Sequence, residues 1–305
     1  MRTTRGIRVL TALAALSAAW ILGACGSDTD TPPEPTSYKV MSFNVLCAWC
    51  DDTYDPWEER LKAFQDIFSR YAPDLMGLQE LMFPEDVAQV LAVAPGFAAL
   101  YYEGNDAEQW LPNPDATLMY RIDRFDVLEH GIYWLSPTPD IPWSVGLIDG
   151  QVIPRHVHWA RLNDRLAGRE IFFAVTHFDA NNPAQEKMAP MVLERTAPWA
   201  DRMPVILVGD FNAEPAHPAY AILTGGVAGQ GFRFQDAYAL APEPHVDSND
   251  VPPLTYDPAI RIDHVFVAGT GWTAADWRVD LTRYGTGPKF PSDHWPIVAD
   301  LRLAP

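Results

Sequence analysis

The segment VILVGDFNAEP, residues 205–215, places an acidic and an amide side chain directly after a buried strand. Its first four residues are apolar, as in a short strand covered on both faces. Gly209 follows, where the backbone can bend or let another group approach closely. Asp210 and Asn212 come next, and residues two apart in an extended chain point to the same side. We therefore expect a carboxylate and a neutral hydrogen-bonding group together on a rigid strand end, an arrangement suited to catalysis.

Other short segments also carry residues capable of metal or phosphate chemistry at or near a predicted strand end. They are Ser42-Phe43-Asn44, Leu78-Gln79-Glu80, Thr176-His177-Phe178-Asp179, Arg261-Ile262-Asp263-His264 and Ser292-Asp293-His294. In the segment that starts at Arg261, Asp263 is predicted inside a strand. One such residue alone is more often a cap or a structural hydrogen-bonding group. Their recurrence along one chain favours a shared site instead.

Predicted strands and a crossover helix would position the first of these side chains. Residues 38–46 alternate in polarity and indicate a strand that ends near Asn44. A helix is predicted to follow, with Asp55 as its N-cap and Pro56 as its first residue. Residues 75–78 form the next buried strand, and Glu80 lies at its end. Strand, helix and strand with charged groups at the strand ends is typical of α/β proteins.

The rest of the chain is predicted to continue with strands, helices and loops. Further strands are predicted at residues 97–102, 116–120, 125–134, 260–267 and 295–303, and helices at residues 84–94 and 183–200. Pro190 and Pro198 would break or bend the second of these helices. A hairpin of residues 156–162 and 171–176 would deliver His177. Because no linker follows residue 37, residues 38–305 are predicted to form one domain.

The composition of the 305-residue chain excludes a disordered protein and allows a large core, since 48% of the residues are hydrophobic and 11 are tryptophan. The net charge is −18, and it becomes −21 without the first 24 residues, which contain three arginines and no acid. So acidic a surface argues against a broad electrostatic contact with DNA or RNA. It does not argue against a small site that holds phosphate through metal ions.

The first 24 residues have the pattern of a secretory signal, because three arginines precede a short apolar run. The run ends in Leu-Gly-Ala-Cys at Cys25, which resembles the bacterial lipobox, whose cysteine is lipidated after cleavage. The alternative is an ordinary signal peptide with a chance cysteine. Residues 25–37 are polar and proline-rich, as in a flexible tether. We therefore expect residues 1–24 to be a lipoprotein signal peptide and the protein to be lipid-anchored in the cell envelope, facing the periplasm or the exterior.

Cys47 and Cys50 form the sequence C-A-W-C just after the first predicted strand. Outside the cytoplasm such thiols are usually oxidised, so a small structural disulfide is the favoured interpretation. Free thiols are one alternative, and a redox or metal site is another. No further Cys or His stands at zinc-ligand spacing in the sequence. The acidic neighbours Asp51 and Asp52 also disfavour a reactive thiolate.

The motifs G-D-F-N-A-E-P and S-D-H-W-P-I resemble those of the endonuclease/exonuclease/phosphatase superfamily, which has the deoxyribonuclease I-like fold. S-F-N-V, G-L-Q-E and R-I-D-H support the resemblance, which spans nearly all of residues 38–305. It implies an α/β fold, a four-layer sandwich of two mixed β-sheets flanked by helices. It also implies cleavage of phosphodiester or phosphomonoester bonds with Mg²⁺ or another divalent ion, such as Mn²⁺ or Ca²⁺.

The resemblance further implies a role for each motif residue. Glu80 would be the principal metal ligand, with Asn44 beside it to orient the ligands or a phosphate oxygen. Asp293 would lie near a second metal position. Asp210 would orient and deprotonate the attacking water, and Asn212 would hydrogen-bond the phosphate.

Two histidines would complete the site that the resemblance implies. His294 would face the scissile phosphate, while Asp263 would fix its tautomer and favour its charged form. His177 would donate to a phosphate oxygen as negative charge builds. Hydrolysis of an anionic ester needs such cations and donors around the phosphorus.

Four more residues have two interpretations each. Arg155, His156 and His158 lie on a predicted strand near His177 and resemble the P-R-x-x-x-W-A stretch of exported family members. They would bind substrate, or else belong to alternate faces of an ordinary strand. His264 stands where the family commonly has an aromatic residue, and is expected to be a neutral strand residue, with a substrate contact as the alternative.

The sequence favours a metal-dependent phosphodiesterase or phosphatase that acts as a monomer on a small phosphate ester or a phospholipid head group. The acidic surface and the tryptophan-rich loops near residues 134–143 support a small substrate. A nuclease is the first alternative, but no run of Lys or Arg supports one. The second alternative is a non-catalytic surface module that retains the fold to bind a ligand, and the presence of every motif residue weighs against it.

Overall fold

The structure is a computed structural model, and it describes residues 35–50, 53–103, 116–225, 231–252, 254–284 and 289–305. The predicted signal segment, the lipidation site Cys25 and most of the predicted tether lie outside the described residues. Among the helices of the described ranges, none has the length and apolar character needed to cross a membrane.

Strands dominate the described part of the chain and alternate with helices. In chain order the elements are β1 (Thr36–Asn44), α1 (Trp57–Tyr71), β2 (Leu75–Gln79), α2 (Pro84–Val93), β3 (Phe97–Leu100), β4 (Ala116–Arg121), β5 (Phe125–Trp134), β6 (His156–Asp164), β7 (Arg169–His177), α3 (Ala184–Ala200), β8 (Val205–Asp210), α4 (Pro218–Gly225), β9 (Gln235–Asp236), α5 (Ala237–Leu240), β10 (His245–Asp247), β11 (Asp263–Ala268), β12 (Trp272–Asp280) and β13 (Ile297–Leu303).

These strands form two mixed sheets. The first has the order β10-β12-β13-β1-β2-β4-β3, and the second the order β5-β6-β7-β8-β11-β9. In the first sheet β1 is parallel to β2 and antiparallel to β13. In the second, β8 is parallel to β7 and antiparallel to β11. The parallel pairs β1–β2 and β7–β8 therefore lie at the centre of their sheets, and their carboxyl ends carry motif residues. A further parallel pair, β10 with β12, lies at the edge of the first sheet.

Apolar clusters define four layers. A central cluster joins the facing sides of the two sheets, with Val40 and Leu75 from the first and Val175 and Val208 from the second. A second cluster packs α1 and α2 on the outer face of the first sheet. A third packs α3 and α4 on the outer face of the second sheet. The predicted sandwich of helices, sheet, sheet and helices is confirmed.

Glycine allows the sheets to approach closely at Gly77 in β2. A Cβ atom there would lie 2.3 Å from a methyl carbon of Val208 and 2.9 Å from one of Val175, both in the opposite sheet. Such contacts leave no room for a side chain. The close packing holds the strand that leads to Glu80 directly against the strand that leads to Asp210.

Several sequence predictions about the elements are wrong. Helix α1 begins at Trp57 after Pro56, whose ψ of 148° is not helical, and no side chain caps it, so Asp55 is not its N-cap. Helix α3 runs through Pro190 and Pro198, so the predicted break does not occur, while a bend at these prolines stays a prediction. Asp263 is the first residue of β11 and not an interior one, because the chain before it turns in a short 3₁₀ helix, Pro258–Ile260.

Candidate active site

The motif side chains meet at one edge of the sandwich because the strands that carry them end there. Asn44 and His177 are the last residues of β1 and β7, and Asp210 is the last residue of β8. Parallel pairing places His177 opposite Asp210, and antiparallel pairing places Asp263 opposite Asp210. Glu80 follows β2 directly with a positive φ of 70°, which turns the chain out of the strand.

Asn44 links the two halves of the site. Its amide nitrogen Nδ2 donates to Glu80 Oε1 at 3.0 Å and to Asp210 Oδ2 at 3.2 Å. Its Oδ1 accepts from the backbone nitrogen of Leu46 at 3.0 Å. Asn44 is fully buried, so these bonds fix its orientation. The geometry favours the orienting role that was predicted for Asn44 over direct ligation of a metal.

Glu80 is held at both oxygens. Oε1 accepts from Asn44, and Oε2 accepts from the backbone nitrogen of Cys47 at 3.0 Å. The carboxylate is only half-buried, so it still faces the solvent side of the site. A carboxylate that is oriented in this way and partly open is suited to bind a hard divalent cation.

Asp210 and Asn212 come together through a turn and not through strand alternation. Asn212 has a positive φ of 47°, and its backbone nitrogen donates to Asp210 Oδ1 at 2.8 Å. Its side-chain Nδ2 donates to the carbonyl of Phe178 at 3.1 Å. The extended geometry assumed for this pair is therefore wrong, because β8 ends at Asp210. One hydrogen of the Asn212 amide group remains for another acceptor.

Two histidines flank Asp210. His177 Nε2 lies 3.4 Å from Asp210 Oδ2, and His294 Nε2 lies 3.7 Å from the same oxygen. Asp210 is 1% exposed, which places its charge in a poorly hydrated environment where nearby charges interact strongly. Asp210 is therefore the common neighbour of both histidines and of Asn44.

His294 is held by Asp263 as predicted. Nδ1 lies 2.7 Å from Asp263 Oδ2. Burial alone would lower the pKa of His294, but the negative charge of Asp263 and its hydrogen bond, with Asp210 and Asp293 nearby, raise it from 6.5 to about 10. Because of this shift, His294 is a cation at neutral pH in the metal-free protein.

The residues present fit a divalent cation. Ligand atoms of Asp210, Asp263 and His294 all lie within 4.8 Å of one another, and the two carboxylates can ligate a cation while His294 keeps its ring proton. Asp263 Oδ1 is buried and has no hydrogen-bond partner among the described residues. Together with Glu80, this donor set consists mainly of carboxylate oxygens, which suit Mg²⁺, Mn²⁺ or Ca²⁺.

The loop before β13 is tied to the end of β1. Ser292 Oγ donates to the carbonyl of Asn44 at 2.8 Å, and the backbone nitrogen of His294 donates to Ser292 Oγ at 3.2 Å. Asp293 is exposed and lies beside Ser292, with 3.3 Å between Ser292 Oγ and Asp293 Oδ1. Its predicted place near a second metal stays a prediction.

Arg155 and His158 are both buried, near the start of β6 and beside the strand that ends in His177. Burial, with His156 and His130 nearby, holds the pKa of His158 well below 6.5. Neither ring nitrogen of His158 has a hydrogen-bond partner among the described residues. The predicted contact of these two residues with substrate stays a prediction.

His264 is a structural residue. It is 1% exposed, and its Nε2 lies 2.9 Å from the carbonyl oxygen of Ala213. Its Nδ1 lies 3.4 Å from Asp236 Oδ2, and its ring stacks on Phe266. Because successive strand residues point to opposite faces, His264 points away from the site that Asp263 faces.

Two features beside Glu80 matter for its position. A disulfide joins Cys47 to Cys50, which confirms the favoured interpretation of C-A-W-C. The sequence did not indicate the second feature, Arg60, because an arginine in an amphipathic helix is normally exposed. Arg60 is 2% exposed, and it donates to the carbonyls of Val45, Leu46 and Cys47 at 2.7–2.8 Å.

One related protein is similar in sequence to much of this chain. Nocturnin of Xenopus laevis is 25% identical over 247 residues, which cover 73% of this chain and 58% of that protein. The chain thus spans little more than half the length of this relative.

Two solved structures share the fold over nearly their whole length. An endonuclease/exonuclease/phosphatase family protein of Bacteroides thetaiotaomicron is 27% identical with a TM-score of 0.74, covering 89% of this chain and 99% of that one. A mannosyl-6-phosphatase of the same species is 26% identical with a TM-score of 0.72, covering 87% and 99%. The model of the Endonuclease/Exonuclease/phosphatase family matches residues 41–294. Since this match spans most of the sandwich and every motif residue at its edge, the chain belongs to the Endonuclease/Exonuclease/phosphatase family.

Proposed function

We propose that this protein is a divalent-metal-dependent hydrolase of phosphoric esters in which a water molecule attacks phosphorus. The observation that carries the proposal is the environment of Asp210. This buried carboxylate lies 3.4 Å from His177 and 3.7 Å from His294, and shares the amide of Asn44 with Glu80. The proposed site therefore brings together three kinds of group. Asp210 can accept a proton, the two histidines can donate hydrogen bonds, and Glu80 can bind a metal ion.

Each side chain of the site has its own role in the proposed hydrolysis. Asp210 orients the water and accepts its proton. His294, cationic through Asp263, and His177 donate to phosphate oxygens as negative charge builds on them. Asn212 contributes its remaining amide hydrogen. A divalent ion held by Glu80 and the neighbouring carboxylates supplies positive charge to the phosphate when bound.

The proposed substrate is a small phosphate ester or a phospholipid head group. The net charge of −18 disfavours a long polyanion. The likeness to a mannosyl-6-phosphatase is consistent with a sugar phosphate. The same machinery in a nuclease is the alternative, and a substrate screen separates the two.

The test is hydrolysis of bis(p-nitrophenyl) phosphate and p-nitrophenyl phosphate with Mg²⁺, Mn²⁺ or a chelator. We expect turnover with metal and none with chelator. Asp210→Asn and His294→Ala should each lower kcat by about 100- to 1,000-fold, the usual effect of removing one placed group. His245→Ala changes a half-exposed histidine that pairs with Asp276 and is the matched control.

Turnover that survives the chelator would contradict the proposed metal dependence, and turnover that His294→Ala leaves unchanged would contradict the proposed role of His294. Absence of turnover with either metal would contradict the enzyme proposal and favour a non-catalytic module. A parallel screen compares sugar phosphates, inositol phosphates, sphingomyelin, RNA and plasmid DNA. DNA cleavage as the sole activity would overturn the argument from surface charge and identify a nuclease.

We also propose that the enzyme works outside the cytoplasm, anchored to the cell envelope by a lipid on Cys25. The basic and apolar segment before Leu-Gly-Ala-Cys supports this proposal. An anchor would bring the site close to phospholipid head groups, and it would equally suit the release of phosphate from small esters outside the cell.

A further inference from the structure

The Cys47–Cys50 pair lies directly against the proposed metal ligand Glu80. The two sulfur atoms and a carboxylate oxygen of Glu80 all lie within 4.8 Å of one another. The backbone nitrogen of Cys47 also donates to Glu80 Oε2 at 3.0 Å. While the disulfide is intact, neither sulfur atom is a thiolate that could bind a metal ion. The Glu80 carboxylate can then bind a hard cation.

We propose that reduction of this disulfide creates a site for a thiophilic divalent cation such as Zn²⁺, formed by the thiolates of Cys47 and Cys50 and the carboxylate of Glu80. The spacing of the two cysteines, with two residues between them, is that of a zinc-ligand pair. Zinc bonds of about 2.3 Å to sulfur and about 2.1 Å to oxygen, arranged tetrahedrally, place the ligand atoms about 3.5–3.8 Å apart. The limit of 4.8 Å between each sulfur and the Glu80 oxygen admits this geometry. The two sulfur atoms, bonded to each other in the disulfide, would separate to this spacing after reduction, and a water molecule would complete the set.

The surroundings of the pair would keep these ligands together after reduction. Arg60 holds the carbonyls of Val45, Leu46 and Cys47, and Asn44 holds the other oxygen of Glu80. None of these bonds depends on the disulfide. The loop therefore retains Cys47 beside Glu80 whether or not the sulfur atoms are joined.

Only one of the two cysteines is accessible to a reductant in solution. Cys47 is fully buried, whereas Cys50 is exposed. A thiolate of a dithiol reductant would attack Cys50 Sγ, and the Cys47 sulfur would leave as thiolate. The second thiol of the reductant then closes a cyclic disulfide and releases Cys50. The reductant loses two electrons and two protons, the cysteines gain them, and Zn²⁺ later displaces the two thiol protons into solvent.

For the enzyme, the redox state of the two cysteines would determine which kind of cation binds Glu80. A cation bound by two thiolates and Glu80 would withdraw this carboxylate from the hard cation, and so stop the hydrolysis. This last step rests on the proposed function, whereas the thiolate site does not.

The test uses the metal-free full-length chain, oxidised or reduced with a phosphine, and titrates it with Co²⁺ as a spectroscopic substitute for Zn²⁺. We expect thiolate-to-cobalt charge-transfer absorption at one equivalent in the reduced protein only, bleached by Zn²⁺ and lost on reoxidation. Glu80→Gln should weaken Co²⁺ binding at least about 10-fold. The double variant Cys47→Ser, Cys50→Ser lacks both the disulfide and the thiols, and should show no band.

Inhibition is measured separately, as the ratio of rates with and without one equivalent of Zn²⁺ in excess Mg²⁺. The reduced protein should lose most of its activity, and the oxidised protein and the double variant much less. Absence of the band in the reduced protein, or an affinity that Glu80→Gln leaves unchanged, would overturn the proposal. A band in a protein without any hydrolysis would instead contradict the proposed function and leave the thiolate site standing.

Discussion

The pair of His294 and Asp263 decides the charge at the centre of the site. The Nδ1 to Oδ2 distance is 2.7 Å, and His294 retains an Nε2 that faces Asp210. With the pKa of His294 raised from 6.5 to about 10, its contribution to folding is fully present below about pH 6.5 and is lost as the pH rises through about 10. Asp263 therefore fixes the orientation of the His294 ring and favours its positively charged form.

Replacement of Asp263 should lower the pKa of His294. In Asp263→Asn the opposing charge is gone and burial remains, so we expect the imidazole to titrate below the value of about 10 found with Asp263 in place. The measurement is an NMR pH titration of the His294 ring in metal-free protein. Asp276→Asn, which removes a carboxylate 3.1 Å from His245, is the control and should leave His294 unchanged. An unaltered midpoint in Asp263→Asn would show that Asp263 is not the source of the shift.

At the scale of the element, the site depends on how closely β7 and β8 pair. Thr176 lies opposite Gly209, one residue before His177 and Asp210. A Cβ atom on Gly209 would lie 2.1 Å from the carbonyl oxygen of Thr176. Since that oxygen belongs to the backbone, the clash cannot be relieved by a side-chain rotation, and the two strands would have to separate.

Gly209→Ala should therefore harm both stability and activity. Overpacking of this kind costs about 1–3 kcal/mol, and the displaced strands carry Asp210 and His177. Urea unfolding gives the stability, and kcat with a p-nitrophenyl ester gives the activity. Gly225→Ala is the matched control, because a Cβ atom there meets nothing within 4 Å. A Gly209→Ala protein within about 0.5 kcal/mol of the original, the range of neutral surface changes, would refute the argument.

At the scale of the whole molecule, the site exists only when the two sheets are packed together. The Asn44–Asp210 hydrogen bond of 3.2 Å crosses from one sheet to the other, and Gly77 lets the sheets approach at that point. Glu80 comes from the first sheet, and Asp210, Asp263 and His177 come from the second. Loosening of the central apolar cluster would therefore separate Glu80 from Asp210.

The proposed anchor also concerns the whole molecule. We expect the full-length chain to fractionate with membranes and Cys25→Ala to move to the soluble fraction, because the lipid would be absent. Thr31→Ala, a change in the predicted tether, should stay with the membranes. A wild-type chain that is already soluble would contradict lipid anchoring.

The sequence was sufficient to identify the family, the fold class and most of the elements. Asp210, His177 and Glu80 each follow a run of apolar residues, and such runs predict buried strands from local periodicity alone. The motifs around them predicted the sandwich of two mixed sheets. The predicted cap of α1, the predicted break in α3 and the predicted start of β11 were wrong, because local propensity does not include the packing that stabilises an element.

The contacts within the site were decided by tertiary structure. Asp263 meets Asp210 because β11 pairs with β8 in one register, and no local pattern in either strand specifies that register. Asn212 reaches Asp210 through a turn with positive φ. The backbone of Cys47 contacts Glu80, and Arg60 holds that loop through its carbonyls, although its sequence position is that of an ordinary exposed helix residue. The sequence by itself determined which groups are available at the strand ends. The packing of the two sheets determined which of these groups touch, because contacts between distant segments depend on register and burial and not on spacing along the chain.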